Sequence, residues 1–200
     1  MVTAACMLLT IACASLLGFI IVRRDTRGCR IFYRIITLGI IAPFAALPTI
    51  RILKIMSLYG TRVGLCLVTT ALNIPYTTMI ISSYLKSIPR ELDEAAVIDG
   101  TSGMTLFRRI IFPLLKPVLA AGLVVNFMWT WNAVEVPVYL LNSSYKWTLP
   151  LSIYNFVGQY SSYWNLVCAD IVLLSIPVIL LYVFCQKLMI GGMISGAVKA

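Results

Sequence analysis

Few side chains in this 200-residue sequence could do covalent or acid–base chemistry, and their types and spacing restrict what that chemistry would be. Histidine is absent, which excludes imidazole acid–base catalysis. The six cysteines, Cys6, Cys13, Cys29, Cys66, Cys168 and Cys185, form no Cys-x-x-Cys pair, and five lie in apolar stretches. A zinc or redox centre therefore lacks its usual ligands, and packing is their expected role. No Gly-x4-Gly-Lys-Ser/Thr phosphate loop occurs, so any nucleotide must bind elsewhere. Glu135 and Asp170 lie beside long apolar runs but form no recognisable catalytic set with their neighbours. These absences leave binding, docking and passage as the available functions.

The elements that would carry such functions are set by hydrophobicity. Hydrophobic residues make up 60% of the chain and its mean hydropathy is +0.95, above the roughly 45–50% apolar content of soluble domains. Runs without Asp, Glu, Lys or Arg cover 1–22, 35–50, 63–85, 117–134 and 171–186. Each approaches the ~17–25 residues of a spanning helix, and none alternates as a barrel strand must. The expected fold is an all-α polytopic transmembrane bundle forming a single domain over 1–200. Its spans are expected at 3–22, 33–53, 63–84, 116–136 and 165–186, with a charged loop at 86–113 and a polar outer loop at 140–164. Pro43 and Pro48 should kink or break the second span in its outer half, or be tolerated there. Asn73, beside Pro75, is either a pore-lining group or an interhelical hydrogen bond. Trp129 and Trp131 suit an interfacial belt, although aromatic faces also suit sugar rings.

Net charge is +9, and its distribution points to a membrane rather than to nucleic acid. Of the sixteen Lys and Arg residues, twelve fall in the first connection, the 86–116 segment and the tail, against Arg51, Lys54, Arg62 and Lys146 on the other side. The positive-inside rule puts the twelve in the cytoplasm. Met1 then lies outside. Residues 1–22 lack the basic region and cleavage context of a signal peptide.

Ile88–Leu114 is the long charged segment. Ser87 can cap a helix whose first turns hold Pro89, Glu91, Asp93 and Glu94. Gly100 would end it, Thr101 or Ser102 would cap a second helix bearing Met104, Phe107, Ile110 and Ile111, and Pro113 would stop that. Ala95 and Ala96 would offer a low-relief face to a partner's groove, flanked by apolar Leu92, Met104 and Phe107. Physical chemistry alone also allows an amphipathic loop held on anionic headgroups by Arg108 and Arg109.

The register Glu94-Ala95-Ala96, Gly100, Ile110 and Phe112-Pro113 resembles the EAA loop, EAA-x3-G-x9-I-x-L-P, of permeases in importers driven by ATP-binding cassettes, with Phe112 in place of leucine. The 129–135 stretch and the tail Gly191–Ala200 are similar to carbohydrate-type permeases, Ala200 replacing a final glycine. The resemblance implies a subunit of a bacterial or archaeal cell membrane, not an enzyme, that forms half of a sugar path. It implies ATPase coupling through Glu94, Ala95, Ala96, Asp99, Gly100, Phe107, Ile110 and Pro113, with Asn73, Asn132 and Glu135 lining the path. The implied partners are an ATPase subunit that holds ATP and magnesium, a second permease and an extracytoplasmic solute-binding protein. The resembled permeases begin with a further helix, so an upstream segment or a shortened form is expected. A permease for another small solute and a membrane scaffold are the alternatives.

Overall fold

The computed structural model describes residues 2–101, 103–158 and 163–197, with backbone alone over 187–197. The described chain is an α-helical bundle centred on α1 (Val2–Arg24) and α4 (Arg62–Lys86), which run side by side in one direction. Cys6 lies opposite Cys66, and Gly18 opposite Ile81. A methyl group on Gly18 would come 3.0 Å from Ile81 Cγ2, so glycine there permits the close approach. Small residues at helix contacts are what drives association in lipid, where apolar burial alone distinguishes little.

The second expected span is not one helix. It is α2 (Arg27–Leu38), started by Thr26, whose Oγ1 accepts from Cys29 N–H, and α3 (Ala46–Ile55), separated by a break. Pro43 cannot donate to the helical ladder and disfavours helical backbone at Ala42, so the chain stops at Leu38 and restarts after the proline. The break packs against the Pro75 ring of α4, which lies 3.0 Å from where a Gly39 Cβ would stand.

After α4 come α5 (Glu91–Ile98), α6 (Gly103–Leu114) and α7 (Lys116–Trp131), with a 75° bend between α6 and α7. Within α6, Phe107–Ile111 widens to a π-helix in which Phe112 N–H bonds Phe107 C=O. The helix ends at Leu114, one residue past Pro113, as expected of a proline that supplies no N–H and crowds the carbonyl four residues back, and the wider turn eases its entry. The short α8 (Glu135–Leu140) and α9 (Leu149–Ser152) follow, then α10 (Trp164–Ala197), which lies mainly against α7 and leaves most of its other side chains up to Phe184 exposed, as suits lipid. Among the described residues α1, α4 and α10 are long and apolar enough to cross a bilayer, and the bent α6–α7 pair adds a fourth candidate. Residues of the outer loop fold back on the bundle: Lys146 Nζ donates to Gly60 O at 2.7 Å.

Candidate functional site

The charged loop owes its shape to local sequence at one end and to tertiary contacts at the other. Ser87 does not cap α5 as expected. It terminates α4, donating from Oγ to Tyr84 O at 2.7 Å, and α5 begins at Glu91 after Arg90 with no side-chain cap. Glu91, Asp93 and Glu94 in the first turn offset the unpaired N–H groups through the helix dipole. The exit is a Schellman motif: Thr101 N–H bonds Ala96 O at 2.8 Å and Gly100 N–H bonds Val97 O at 3.0 Å. Gly100 has φ +80°, the left-handed conformation that the motif requires, and a Cβ there would meet nothing within 4 Å. Lack of room for a side chain is therefore not the cause. Backbone conformation is. Ser102, an expected cap of the next helix, lies outside the described residues.

Tertiary contacts divide α5 into two faces. Asp93 and Ala96 point inward. Ala96 is buried in a cluster with Val22, Leu85, Leu106, Phe107 and Ile111, so it and Phe107 belong to the chain's own core, not to the partner-facing surface expected of them. Ile110 packs against the same cluster, while Pro113 and Asp99 are exposed. The outward face reads Glu91, Glu94, Ala95 and Ile98, the i, i+3, i+4, i+7 stripe of a helix, all exposed. Ile98 is 85% exposed and Val97 56%. The sequence reading passed over both, although the helical register from Glu94 reaches Ile98 directly.

The inward face is braced to the end of α1. Arg23 Nε stands 2.6 Å from Asp93 Oδ2, with the side chains 10% and 15% exposed. The N–H is not aimed at an acceptor, so this is an ion pair rather than a directed hydrogen bond. Arg23 Nη1 and Nη2 each reach Ile88 O at 3.4 Å, and Arg90 Nη2 donates to Val22 O at 3.2 Å. Val22 lies in the last turn of α1, where carbonyls lack helical partners, so Arg90 satisfies a group the helix cannot.

The three path candidates do not meet. Asn73 is buried between α4 and α7, its Nδ2 donating to Thr130 Oγ1 at 2.9 Å, which is the interhelical bond offered as its alternative. Asn132 is exposed at the end of α7 and donates to Met128 O at 2.9 Å, and Glu135 is exposed at the start of α8. No hydrogen bond joins the three among the described residues. The polar centre is instead built around Asn126, fully buried and unremarked in the sequence reading. Its Nδ2 donates to Gly122 O at 2.7 Å and to Thr77 Oγ1 at 2.9 Å, while Thr77 Oγ1 donates to Asn73 O at 2.8 Å. A polar residue every three to four positions on α4, Asn73 then Thr77, was the available signal. Replacing Asn126 with leucine should leave Thr77 bonded only to its own helix and lower stability by ~1 kcal/mol, the typical scale of such bonds in membranes. Thermal unfolding in detergent checks this, and an unchanged midpoint would deny Asn126 a structural role. Trp131 Nε1 donates to Leu174 O on α10 at 3.0 Å, and half-exposed Trp129 packs on Tyr76 at 4.7 Å, so Trp131 ties two helices together.

This helical arrangement matches known proteins over nearly its whole length. Residues 8–193 match the family described as the binding-protein-dependent transport system inner membrane component. The chain belongs to this family. It is 40% identical over 177 residues to the multiple sugar-binding transport system permease protein of Streptococcus mutans, covering 86% of this chain and 64% of that one. It is 32% identical over 195 residues to the melibiose/raffinose/stachyose import permease protein of Bacillus subtilis, covering 96% and 71%. The chain thus spans about two thirds of the length of the curated relatives it matches. Its fold resembles a bacterial ABC transporter that imports the acidic polysaccharide alginate, with TM-score 0.75, 23% identity and 92% and 70% coverage. A methionine ABC transporter in an inward-facing conformation gives TM-score 0.76, 16% identity and 95% and 90% coverage. This inner membrane component is a multi-pass membrane protein whose relatives are permeases rather than enzymes. The sugar-type tail pattern falls at Gly191–Ala197, where only backbone is described, and at Val198–Ala200, outside the described residues.

Proposed function

We propose that the chain is a permease subunit of an ATP-driven importer for a sugar or oligosaccharide, and that α5 is its coupling helix. The observation that carries this reading is the outward stripe Glu91, Glu94, Ala95 and Ile98, held on a short helix that is braced to α1 and leaves an isoleucine 85% exposed. Such a face at a surface lipid does not cover is suited to a groove in another protein. The sugar assignment draws on the relatives from S. mutans and B. subtilis. ATP and magnesium would sit on the partner, whose closure would move α5 and, through the Arg23–Asp93 brace, α1 and α4. A second permease would complete the path, a solute-binding protein would dock at the outer loop, and α5 would face the cytoplasm. Asn132 and Glu135, both exposed, would line the path.

Affinity purification of this chain from its native membrane, in mild detergent, should retain an ATPase subunit, a second permease and a sugar-binding protein. Recovery of the chain alone would overturn the assignment. In the same experiment Ile98→Asp should reduce recovered ATPase at least tenfold, because burying an unpaired carboxylate in the groove costs more than the ~1.4 kcal/mol that a tenfold loss represents. Undiminished recovery would remove Ile98 from the interface.

A further inference from the structure

A cavity of about 780 Å³ opens beside the brace, between the end of α1, the start of α2, the end of α4 and the residues leading into α5. Its lining is unlike the rest of the bundle. Arg23, Arg30, Arg34, Lys86 and Arg90 contribute five cations against the carboxylates of Asp25 and Glu91. Arg23 is committed to Asp93 and Arg90 to a backbone carbonyl. Arg30 stands 3.9 Å from Asp25 with both side chains more than half exposed, a separation at which solvent screens most of the attraction. Lys86 Nζ lies over the Tyr33 ring at 5.6 Å, and Arg34 has no carboxylate within 4.0 Å among the described residues. The cavity therefore carries positive charge that its own acids do not cancel.

The wall behind the cations is closed: Ser82 is fully buried, its Oγ 3.4 Å from where a Gly18 Cβ would stand at the α1–α4 contact. Arginines and a lysine converging on one space suit a phosphate group, whose oxygens take charge-assisted bonds.

We propose that this cavity binds a phosphodiester anion supplied by the membrane, the headgroup of an anionic phospholipid. The flanks favour a lipid over a soluble anion. Ile21 and Val22 form an apolar wall, and Ile31, Ile35 and Leu38 on α2 are 57%, 60% and 64% exposed, an unpartnered strip along which acyl chains can lie. The cationic ends of α1, α2 and α4 fall on the side assigned to the cytoplasm, where basic pockets between helices take anionic headgroups. This site shares only Glu91 with the outward face of α5, and its test does not depend on transport.

The full chain, purified with whatever subunits remain on it, would be reconstituted in phosphatidylcholine vesicles containing spin-labelled phosphatidylglycerol or spin-labelled phosphatidylcholine. Phosphatidylglycerol should show the larger motionally restricted fraction. Arg34→Gln should weaken that preference about fivefold, the scale of one basic residue at a lipid surface. Arg30→Gln provides a second exposed variant should Arg34→Gln misfold. Arg27→Gln removes the same charge from α2 outside the cavity and should change nothing. Equal restriction of both lipids, or an equal loss with Arg27→Gln, would overturn the site in favour of diffuse surface charge. Displacement of the labelled lipid by millimolar inorganic phosphate would overturn the lipid source and leave a soluble-anion site.

Discussion

Gly100→Asp should reduce uptake of the transported sugar to background while the chain still inserts and accumulates in the membrane. The two parts of this outcome have different causes. Gly100 sits at φ +80° as the left-handed residue of the Schellman motif that ends α5, and open space surrounds its missing Cβ. Nothing in the bundle resists a side chain, so insertion and helix packing survive. The backbone does resist it, by ~1–2 kcal/mol for a residue with a Cβ in this conformation, though aspartate tolerates it better than most. The larger effect comes from where the side chain would go: out of the turn, next to exposed Asp99 and the Ile98 surface, adding a charge to the face proposed to dock on the ATPase. Gly100→Ala, which adds strain without charge, should retain a substantial part of transport. Uptake of radiolabelled sugar by membranes with matched permease levels checks both, and normal uptake by Gly100→Asp would sink the coupling role of α5.

Breaking the brace should be nearly as damaging by a different route. Arg23→Gln leaves Asp93 without its charge partner at a site where the two side chains are only 10% and 15% exposed. Truncating one member of a fully buried pair costs about 3–5 kcal/mol, and the residual exposure brings the expected figure to ~2–3 kcal/mol. Because Arg23 also holds Ile88 O, α5 would lose both of Arg23's ties to α1 and keep only the Arg90 bond to Val22 O and the core packing of Ala96. We expect ATP hydrolysis to continue with uptake reduced at least tenfold, the signature of an ATPase disconnected from the helices it moves. Asp93→Asn, which leaves Arg23 its contacts with Ile88, should be milder, and the double substitution should be less harmful than the sum of the two single ones. Strict additivity would mean that the pair does not couple the loop to α1.

The legibility of this protein followed the range of the interactions. The all-α membrane fold was readable because lipid forces backbone groups to pair within each apolar run. The end of α5 was readable because a Schellman motif is built from neighbours in sequence, and Gly100 stood where one was needed. Misreadings arose where contacts reach across the chain or where two local rules compete. The break between α2 and α3 depended on whether Pro43 would bend a helix or end it, a choice made where Gly39 meets Pro75 on another helix. Pro113 signalled a stop and α6 ends one residue beyond it, whereas the widened turn at Phe107–Ile111 that precedes the proline had no local signal.

The residues of the loop illustrate the same division. By itself the sequence determined that a charged, helix-forming segment leaves the membrane between two apolar runs, and its spaced Glu-Ala-Ala and glycine positions determined which family it resembles. It did not determine which side of that helix is available, because an eight-residue helix with acidic and apolar residues mixed around its circumference has no preferred face until something packs on one side. Tertiary structure decided this. Arg23 reaches across from residue 23 to residue 93, and Ala96 closes on Val22 and Leu85, so Ala96 and Phe107 turn inward and Glu94, Ala95 and Ile98 turn outward. The same holds for Asn73, whose partner Thr130 lies 57 residues away. A polar group in hydrocarbon must find a partner, but only the docking of α4 against α7 selected which one.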